Sequence, residues 1–358
     1  MTVHQILPTW EPGGIGAHAL GVWEALRGAG VDCKVWADDV RSGLPPIARP
    51  TLELLGAPAL GSDAVLLFHT AMGTATADAL LDRPEPLVID HHNITPPAFF
   101  DAWEPALAEN LELGTRQVAR LARRSVLGLA DSSFNAAELE RDGCPRTAVV
   151  PVFADYARRP SVAATEALRG PDGGAVWLFV GRVAPNKAQH DVVRAFACYR
   201  RWYDPRARLR LVGAAPFAGY HAVVQRVAAR LGVADAVDLV GPVDDDVLAA
   251  HYATADVYVS LSQHEGFGVP LVEAMAAGLP VVALGVTAVP ETAGVAALLV
   301  DRADPRLVAT AVARLLRDRE LHESFVAAGR ERARAFDPAH SARALLDALE
   351  PVLASSHR

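Results

Sequence analysis

The chain has 358 residues, with 34 Lys or Arg against 42 Asp or Glu and a net charge of −8, which lacks the basic footprint of a nucleic-acid-binding protein. Its length calls for two cores of about 150 to 180 residues each, and no apolar run approaches the ~20 residues that span a bilayer. Its cysteines, Cys33, Cys144 and Cys198, offer neither metal-ligand spacing nor an even count for a disulfide framework, so a reducing cytoplasm is expected.

Short apolar runs alternate with helical stretches from one end to the other. The first half predicts strands at Val3–Leu7, Cys33–Ala37, Ala64–Phe68, Pro86–Asp90, Val126–Ala130 and Ala148–Val152. The second predicts them at Val176–Val180, Leu209–Val212, Val237–Val240, Val257–Ser260, Val281–Leu284 and Ala297–Val300. Strands spaced by helices argue for parallel sheets wound by right-handed crossovers, and two such sets make two Rossmann-like α/β domains. No charged leader precedes a long apolar core, so no signal peptide is expected. The seam falls between Phe153 and Gly174, where Arg158-Arg159-Pro160 and Gly170-Pro171-Asp172-Gly173-Gly174 are turn-rich. The expected division is 1–155 and 156–339.

After the first strand, Gly13-Gly14-Ile15-Gly16 precedes a helical run from Ala17 to Arg27, so backbone amides there can approach a phosphate. Gly14-x-Gly16-x-x-Ala19 also fits the dinucleotide fingerprint, with Asp38 or Asp39 about 20 residues on as a ribose-binding acid. That makes an NAD(P)-dependent oxidoreductase the rival reading. Further along, the strand at Pro86–Asp90 delivers His91, His92 and Asn93 into a loop. Arg116 to Arg124 is basic on a helical pattern and reads as a solvated face, with contact to anionic lipid as the alternative.

The second half holds the sharper motifs. The strand at Val176–Val180 is followed by Gly181-Arg182, and Lys187 lies on the loop leading into a helix from about Asn186. Two cations at the carboxyl end of a strand suit an anion, Arg as a fork and Lys as a point charge. Asp244-Asp245-Asp246 directly precedes a helical run, so capping and dipole complementation explain it better than metal binding. Finally, His264-Glu265-Gly266-Phe267-Gly268-Val269-Pro270-Leu271-Val272-Glu273 joins a buried strand to a helix. Pro270 reads as its first residue and Gly278 as its stop. Glu273, about one turn in, leans back toward the loop carrying Glu265. Free amides attract phosphate while carboxylates accept from hydroxyls, so a ligand bearing both a diphosphate and sugar hydroxyls satisfies the pocket.

This segment resembles the signature of the retaining glycosyltransferases of family 4, in which two glutamates are separated by seven residues. The resemblance spans nearly the whole chain and is sharp from about Phe179 to Gly294. It implies the GT-B fold, two Rossmann-like doubly wound domains facing a central cleft, with the donor on the second domain and the acceptor mainly on the first. It also implies that a terminal helix, over about His340 to Glu350 within the tail 340–358, crosses back to the first domain. Carried over, Glu265 lies by the donor sugar and diphosphate, Glu273 binds ribose hydroxyls, and Arg182 and Lys187 after Gly181 hold the diphosphate. Amides of Phe267, Gly268, Val269 and Leu271 face sugar and phosphates, and Gly14 and Gly16 belong to a glycine-rich loop near them. On the acceptor side, the resemblance implies a polar residue after the fourth strand. His92 is the first choice, with His91, Asn93 and His69 as further lining residues.

The implied reaction moves a hexose-type sugar from a UDP- or GDP-sugar to a hydroxyl of a glycan, glycolipid or small molecule. No cofactor and no metal is expected, the nucleotide sugar being a co-substrate. A GT-B epimerase or nucleotide-sugar-binding protein is a third reading. The expected setting is cytoplasmic, with peripheral contact at the inner face of a membrane left open.

Overall fold

The computed structural model describes residues 1–156, 158–168 and 173–355. Its contacts divide the chain into two units, one formed by Met1–Asp101, Pro105–Ala154 and Phe336–Arg358, the other by Ala102–Glu104 and Asp155–Ala335.

The first unit contains β1 (Thr2–Trp10), α1 (Gly14–Gly28), β2 (Asp32–Val40), β3 (Ala48–Pro50), α2 (Thr51–Leu55), β4 (Ala64–Thr70), α3 (Ala75–Leu80), β5 (Leu87–His91), α4 (Pro105–Arg124), β6 (Leu127–Ala130), α5 (Ser133–Arg141) and β7 (Thr147–Val149). The strands form one seven-stranded sheet in the order β3-β2-β1-β4-β5-β6-β7, parallel throughout. The second unit runs from α6 (Val162–Leu168) through β8 (Val176–Val180), α7 (Gln189–Trp202), β9 (Arg208–Val212), α8 (Ala218–Arg230), β10 (Val237–Gly241), α9 (Asp245–Ala253), β11 (Val257–Ser260), α10 (Val269–Ala276), β12 (Val281–Leu284), α11 (Val289–Ala293) and β13 (Ala297–Val300) to α12 (Pro305–Arg317) and α13 (Arg319–Arg334). Its sheet has six parallel strands in the order β10-β9-β8-β11-β12-β13. In both sheets the order reverses beside the first strand, and the carboxyl ends of the strands at that switch point are where α/β sheets bind ligands.

The final helix, α14 (Pro338–Ser355), belongs to the first unit. It is longer than the expected 340–350 segment, and residues 356–358 lie outside the described residues. Leu345, Leu349 and Val352 share one face at helical spacing and sit in the core with Val22 and Leu26 of α1 and Phe153. Arg146 also donates to the Ala348 carbonyl at 2.5 Å. Burial of three aliphatic side chains contributes roughly 1.5–3 kcal/mol each, enough to hold the chain terminus onto this unit.

Several expected boundaries shift. The first strand runs three residues past Leu7, because Trp10 is buried and its indole donates to the Pro45 carbonyl. The helix after it starts at Gly14 instead of Ala17, with Gly13 at φ 147° as its N-cap. Gly14 and Gly16 are therefore first-turn residues, and a Cβ on Gly16 would meet the Glu11 carbonyl oxygen at 1.9 Å. The expected strand over 148–152 is Thr147–Val149. Strand β3, bearing Pro50 on the sheet edge, has no apolar run to announce it. Within the expected seam, Arg158, Arg159 and Pro160 are irregular, α6 forms, and Gly170, Pro171 and Asp172 lie outside the described residues.

Candidate functional site

In the second unit, β8 hands the chain to Gly181, whose φ of 149° favours glycine. Its amide donates to the Val212 carbonyl at 2.9 Å, which extends the β8–β9 ladder by one residue and commits that amide to the sheet. Gly213, at φ 141°, abuts it: a Cβ there would lie 2.3 Å from the Gly181 oxygen. Gln189, fully buried, fixes the next turn by donating to the Arg182 carbonyl at 2.7 Å and accepting from the Ala184 amide at 3.3 Å. The Arg182 side chain is left exposed. Among the described residues its guanidinium makes no salt bridge.

Lys187 closes a short 3₁₀ turn, Pro185–Lys187, and Ala188 follows at φ 50°. The α-helix therefore starts at Gln189, not near Asn186. The Lys187 ammonium bonds both carboxylate oxygens of Glu265, at 2.8 and 2.7 Å. With side-chain exposures of 20% and 14%, this pair is largely withdrawn from water. The two motifs, 78 residues apart, are one charged unit.

The glutamate loop is fastened on three sides. The Gln263 amide donates to the Asn186 carbonyl at 2.8 Å. Glu265 donates its amide to Thr287 Oγ1 at 3.0 Å, and its carbonyl accepts from Ala288 at 3.3 Å. Thr292 Oγ1 donates to the Phe267 carbonyl at 2.6 Å. Gly268 at φ 94° then caps α10, with Val269 first in the helix and Pro270 second, one place later than expected and within the usual latitude of helix ends. The Leu271 amide donates to the Gly268 carbonyl at 2.9 Å and its side chain is buried, so Leu271 braces the turn rather than facing a phosphate. The first helical amide, that of Val269, has no intrahelical acceptor.

Glu273 lies one turn into α10. Tyr252 donates its hydroxyl to Glu273 Oε2 at 2.8 Å, and burial raises the carboxyl's pKa above the ordinary value. The carboxylate borders a hollow lined by Asp155, Tyr156, Arg158, Asp245 and Tyr252, in which Arg158 is ion-paired with Asp245.

The first unit gathers the histidines expected on the acceptor side, with a different disposition. β4 extends to Thr70, so His69 is a strand residue with no exposure and does not line a cleft. His92 directs Nδ1 at both oxygens of Asp131, each at 3.1 Å, and Nε2 at His69 Nδ1, at 2.9 Å. Its side chain is 5% exposed, so both ring nitrogens are committed to the interior rather than to an incoming hydroxyl. His91, the last residue of β5, bonds Thr70 Oγ1 at 2.9 Å and Glu138 at 3.3 Å. Asn93 takes the left-handed conformation at φ 71° and donates to Asn135 and Glu138. The sequence reading missed Asp131, although it stands directly after a predicted strand, as well as Tyr252, Gln189 and Thr287. Asp131, Tyr252 and Thr287 meet partners 21 or more residues away and carry no local signal, whereas Gln189 bonds within seven residues, to Arg182 and Ala184.

The remaining polar motifs resolve as structure. Asp244 caps α9 by accepting from the Val247 amide at 2.8 Å, and Asp246 accepts from Ser161. On α4, Arg116 pairs with Glu112, Arg120 with Asp78, and Arg124 donates to the Glu85 carbonyl. At the end of β2, Asp38 accepts from Thr76 and Asp39 from Arg41.

Residues 174–318 match the family described as glycosyl transferases group 1. The chain is 37% identical over 222 residues to the D-inositol 3-phosphate glycosyltransferase of Geodermatophilus obscurus, covering 58% of this chain and 49% of that one. It is 31% identical over 307 residues to the enzyme of that name from Salinispora arenicola, covering 81% and 64%. The GDP-mannose-dependent alpha-(1-6)-phosphatidylinositol monomannoside mannosyltransferase of Mycobacterium tuberculosis is 38% identical over 161 residues, 42% of this chain and 41% of that one. The matched span is thus between 41% and 64% of the length of these curated relatives. Among solved structures, sucrose-phosphate synthase from Thermosynechococcus elongatus superposes with a TM-score of 0.77 at 21% identity, over 99% of both chains. Anabaena HepE in complex with UDP-glucose gives 0.77 at 20%, over 98% and 100%. The fold is GT-B, and among the described residues no helix is long and apolar enough to cross a membrane.

Proposed function

We propose that this chain, which resembles the group 1 glycosyltransferases and has the GT-B fold, moves a hexose from a nucleoside-diphosphate sugar to an acceptor hydroxyl, with retention and without a metal ion. The observation that carries the reading is the bidentate Lys187–Glu265 pair, which joins the turn five residues after the exposed Arg182 to the loop that leads into α10. The pair is neutral as a unit, so the surplus positive charge of the site comes from Arg182 and from the helix dipole, about half a charge at its N-terminus. A diphosphate with negative charge building on its leaving oxygen suits that field. Glu265 holds the ammonium in place before the donor arrives, which is preorganisation. Already paired with a cation, Glu265 is an orienting group beside the sugar and not a nucleophile. Front-face attack, assisted by the departing phosphate, fits a site with no second carboxylate assigned to covalent chemistry.

Glu273, with Tyr252 occupying one oxygen, keeps acceptor capacity for ribose hydroxyls. Glu273→Gln retains the shape and an acceptor for Tyr252 but removes the charge that binds two hydroxyls best. Affinity for free UDP or GDP is expected to fall about tenfold, the loss of one charge-assisted hydrogen bond of ~1.5 kcal/mol; unchanged affinity by calorimetry would reject the ribose contact.

The relatives are named for inositol phosphate and GDP-mannose, and the HepE structure for UDP-glucose, which supports a UDP- or GDP-hexose donor here and a polyol, glycan or glycolipid hydroxyl as acceptor. Release of free nucleotide only when such an acceptor is present tests transfer directly; release without it, or epimerised donor, would point to the other readings.

A further inference from the structure

We propose that Asp131, His92, His69 and Gln5 form a hydrogen-bonded chain in which His92 is held as a buried imidazolium between the carboxylates of Asp90 and Asp131. In this arrangement His92 positions the turn after β5 and takes no proton from the acceptor.

The geometry leaves few ways to place hydrogens. His92 Nδ1 faces Asp131, an acceptor, so Nδ1 carries a hydrogen. His92 Nε2 and His69 Nδ1 face each other at 2.9 Å, and two lone pairs cannot, so one hydrogen lies between them. If it belongs to His92, the ring is a cation, His69 accepts at Nδ1, and His69 Nε2 donates to Gln5 Oε1 at 2.9 Å. The Gln5 amide nitrogen then donates to Cys33 Sγ at 3.2 Å. If it belongs to His69, the chain holds one proton fewer, the one lost from His69 Nε2 to solvent: His92 is neutral, and the Gln5 amide turns to donate to His69 Nε2 at 2.9 Å and to the Ala19 carbonyl at 3.2 Å while its oxygen accepts from the Trp23 amide at 3.3 Å, three bonds against two in the first state. Gain or loss of one proton thus sets a tautomer and an amide orientation two residues away along the chain of bonds.

The surroundings of Gln5 favour the neutral state, while the charge of two buried carboxylates, the larger effect, favours the cation. The groups facing His92 are His18 from α1, His69 from β4, Asp90 from β5 and Asp131 beyond β6. His18 accepts the Phe153 amide at Nδ1, at 3.2 Å, so its hydrogen is on Nε2 and is donated to Asp90 at 2.9 Å. That leaves His18 neutral. Asp90 Oδ1 is buried with no hydrogen-bond partner among the described residues. Two buried carboxylates without a cation carry two uncompensated charges, whereas the imidazolium leaves one. The nearby Asp131 and Asp90 outweigh desolvation and push His92 up to about 9, while burial keeps His69 neutral. A zinc ion shared by the two nitrogens is a poorer fit, because ligands at ~2.0–2.1 Å in a tetrahedral site stand about 3.3 Å apart and His18 presents a hydrogen instead of a lone pair.

The sign follows from a folded pKa of about 9 above the ordinary 6.5: the contribution to stability is complete below about 6.5 and lost as pH rises through about 9. His92 donates its own amide to the Thr70 carbonyl and immediately precedes left-handed Asn93, so the cation fixes the backbone that carries His91 and Asn93.

Nitrogen-15 histidine NMR on the full chain tests the assignment. His92 doubly protonated through neutral pH, with His69 a neutral Nε2–H tautomer, is the expected result. A neutral His92 at pH 7, or a stoichiometric bound zinc in the purified protein, would overturn it. The positioning role rests on the transferase reading, and Asp131→Asn tests it separately. Removing that carboxylate should drop the His92 pKa toward neutrality, so acceptor kcat/KM gains a limb that falls as pH rises through that range while donor affinity stays flat. An Asp131→Asn profile parallel to the wild type would overturn the positioning role. Absence of transfer by the wild type with every donor would instead sink the transferase reading and leave the NMR result standing.

Discussion

Lys187→Ala is expected to lower kcat by about 10²–10³, the cost of removing one preorganised donor from developing negative charge. The effect has two sources. The ammonium that meets the diphosphate is gone, and Glu265, now unpaired at 14% side-chain exposure, is left as a half-buried anion beside the phosphates. Because the interaction strengthens toward the transition state, the loss should appear in kcat and kcat/KM together. A higher KM with unchanged kcat would reject the assignment. Arg182→Ala should act in the same direction without disturbing Glu265. The two variants therefore separate charge at the leaving group from orientation of the carboxylate.

Gly213→Ala carries the largest expected structural effect. A Cβ at this position would sit 2.3 Å from the Gly181 carbonyl oxygen and 3.3 Å from the Arg182 amide, on a residue at φ 141°. Backbone, not a flexible side chain, is what it meets, so relief requires the β8–Arg182 turn to move. Overpacking and the unfavourable backbone conformation each cost about 1–3 kcal/mol, and a total of about 3 kcal/mol would lower the melting temperature by roughly 6–12 °C for a domain of this size. Nucleotide binding should weaken as well, since Arg182 leaves its place. A melting temperature within a degree of the wild type would mean the turn is looser than its contacts imply.

Much of this arrangement is legible in the chain before any coordinates. Parallel strands buried on both faces read as continuous apolar runs, so Val176–Val180, Val257–Ser260, Val281–Leu284 and Ala297–Val300 are found to the residue. Gly268 and Gly278, both with positive φ, mark the ends of α10 for a physical reason. What is not legible depends on partners far away in sequence. Nothing local says that Lys187 meets Glu265, that Tyr252 meets Glu273, or that His69 lies inside a strand rather than beyond it. The glycine-rich start of α1 misleads because glycine favours loops in general, whereas Gly16 is required here by the close Glu11 carbonyl inside a helical turn.

Calorimetry with a panel of UDP-, GDP-, ADP- and dTDP-sugars alongside NAD and NADP, run without added metal, tests the central claim most directly. The account predicts that one nucleotide-sugar series binds, that Glu273→Gln weakens it about tenfold, and that the dinucleotides do not bind. Binding of NAD or NADP alone would contradict it and move attention to Gly14, Gly16 and Asp38 or Asp39 in the first unit.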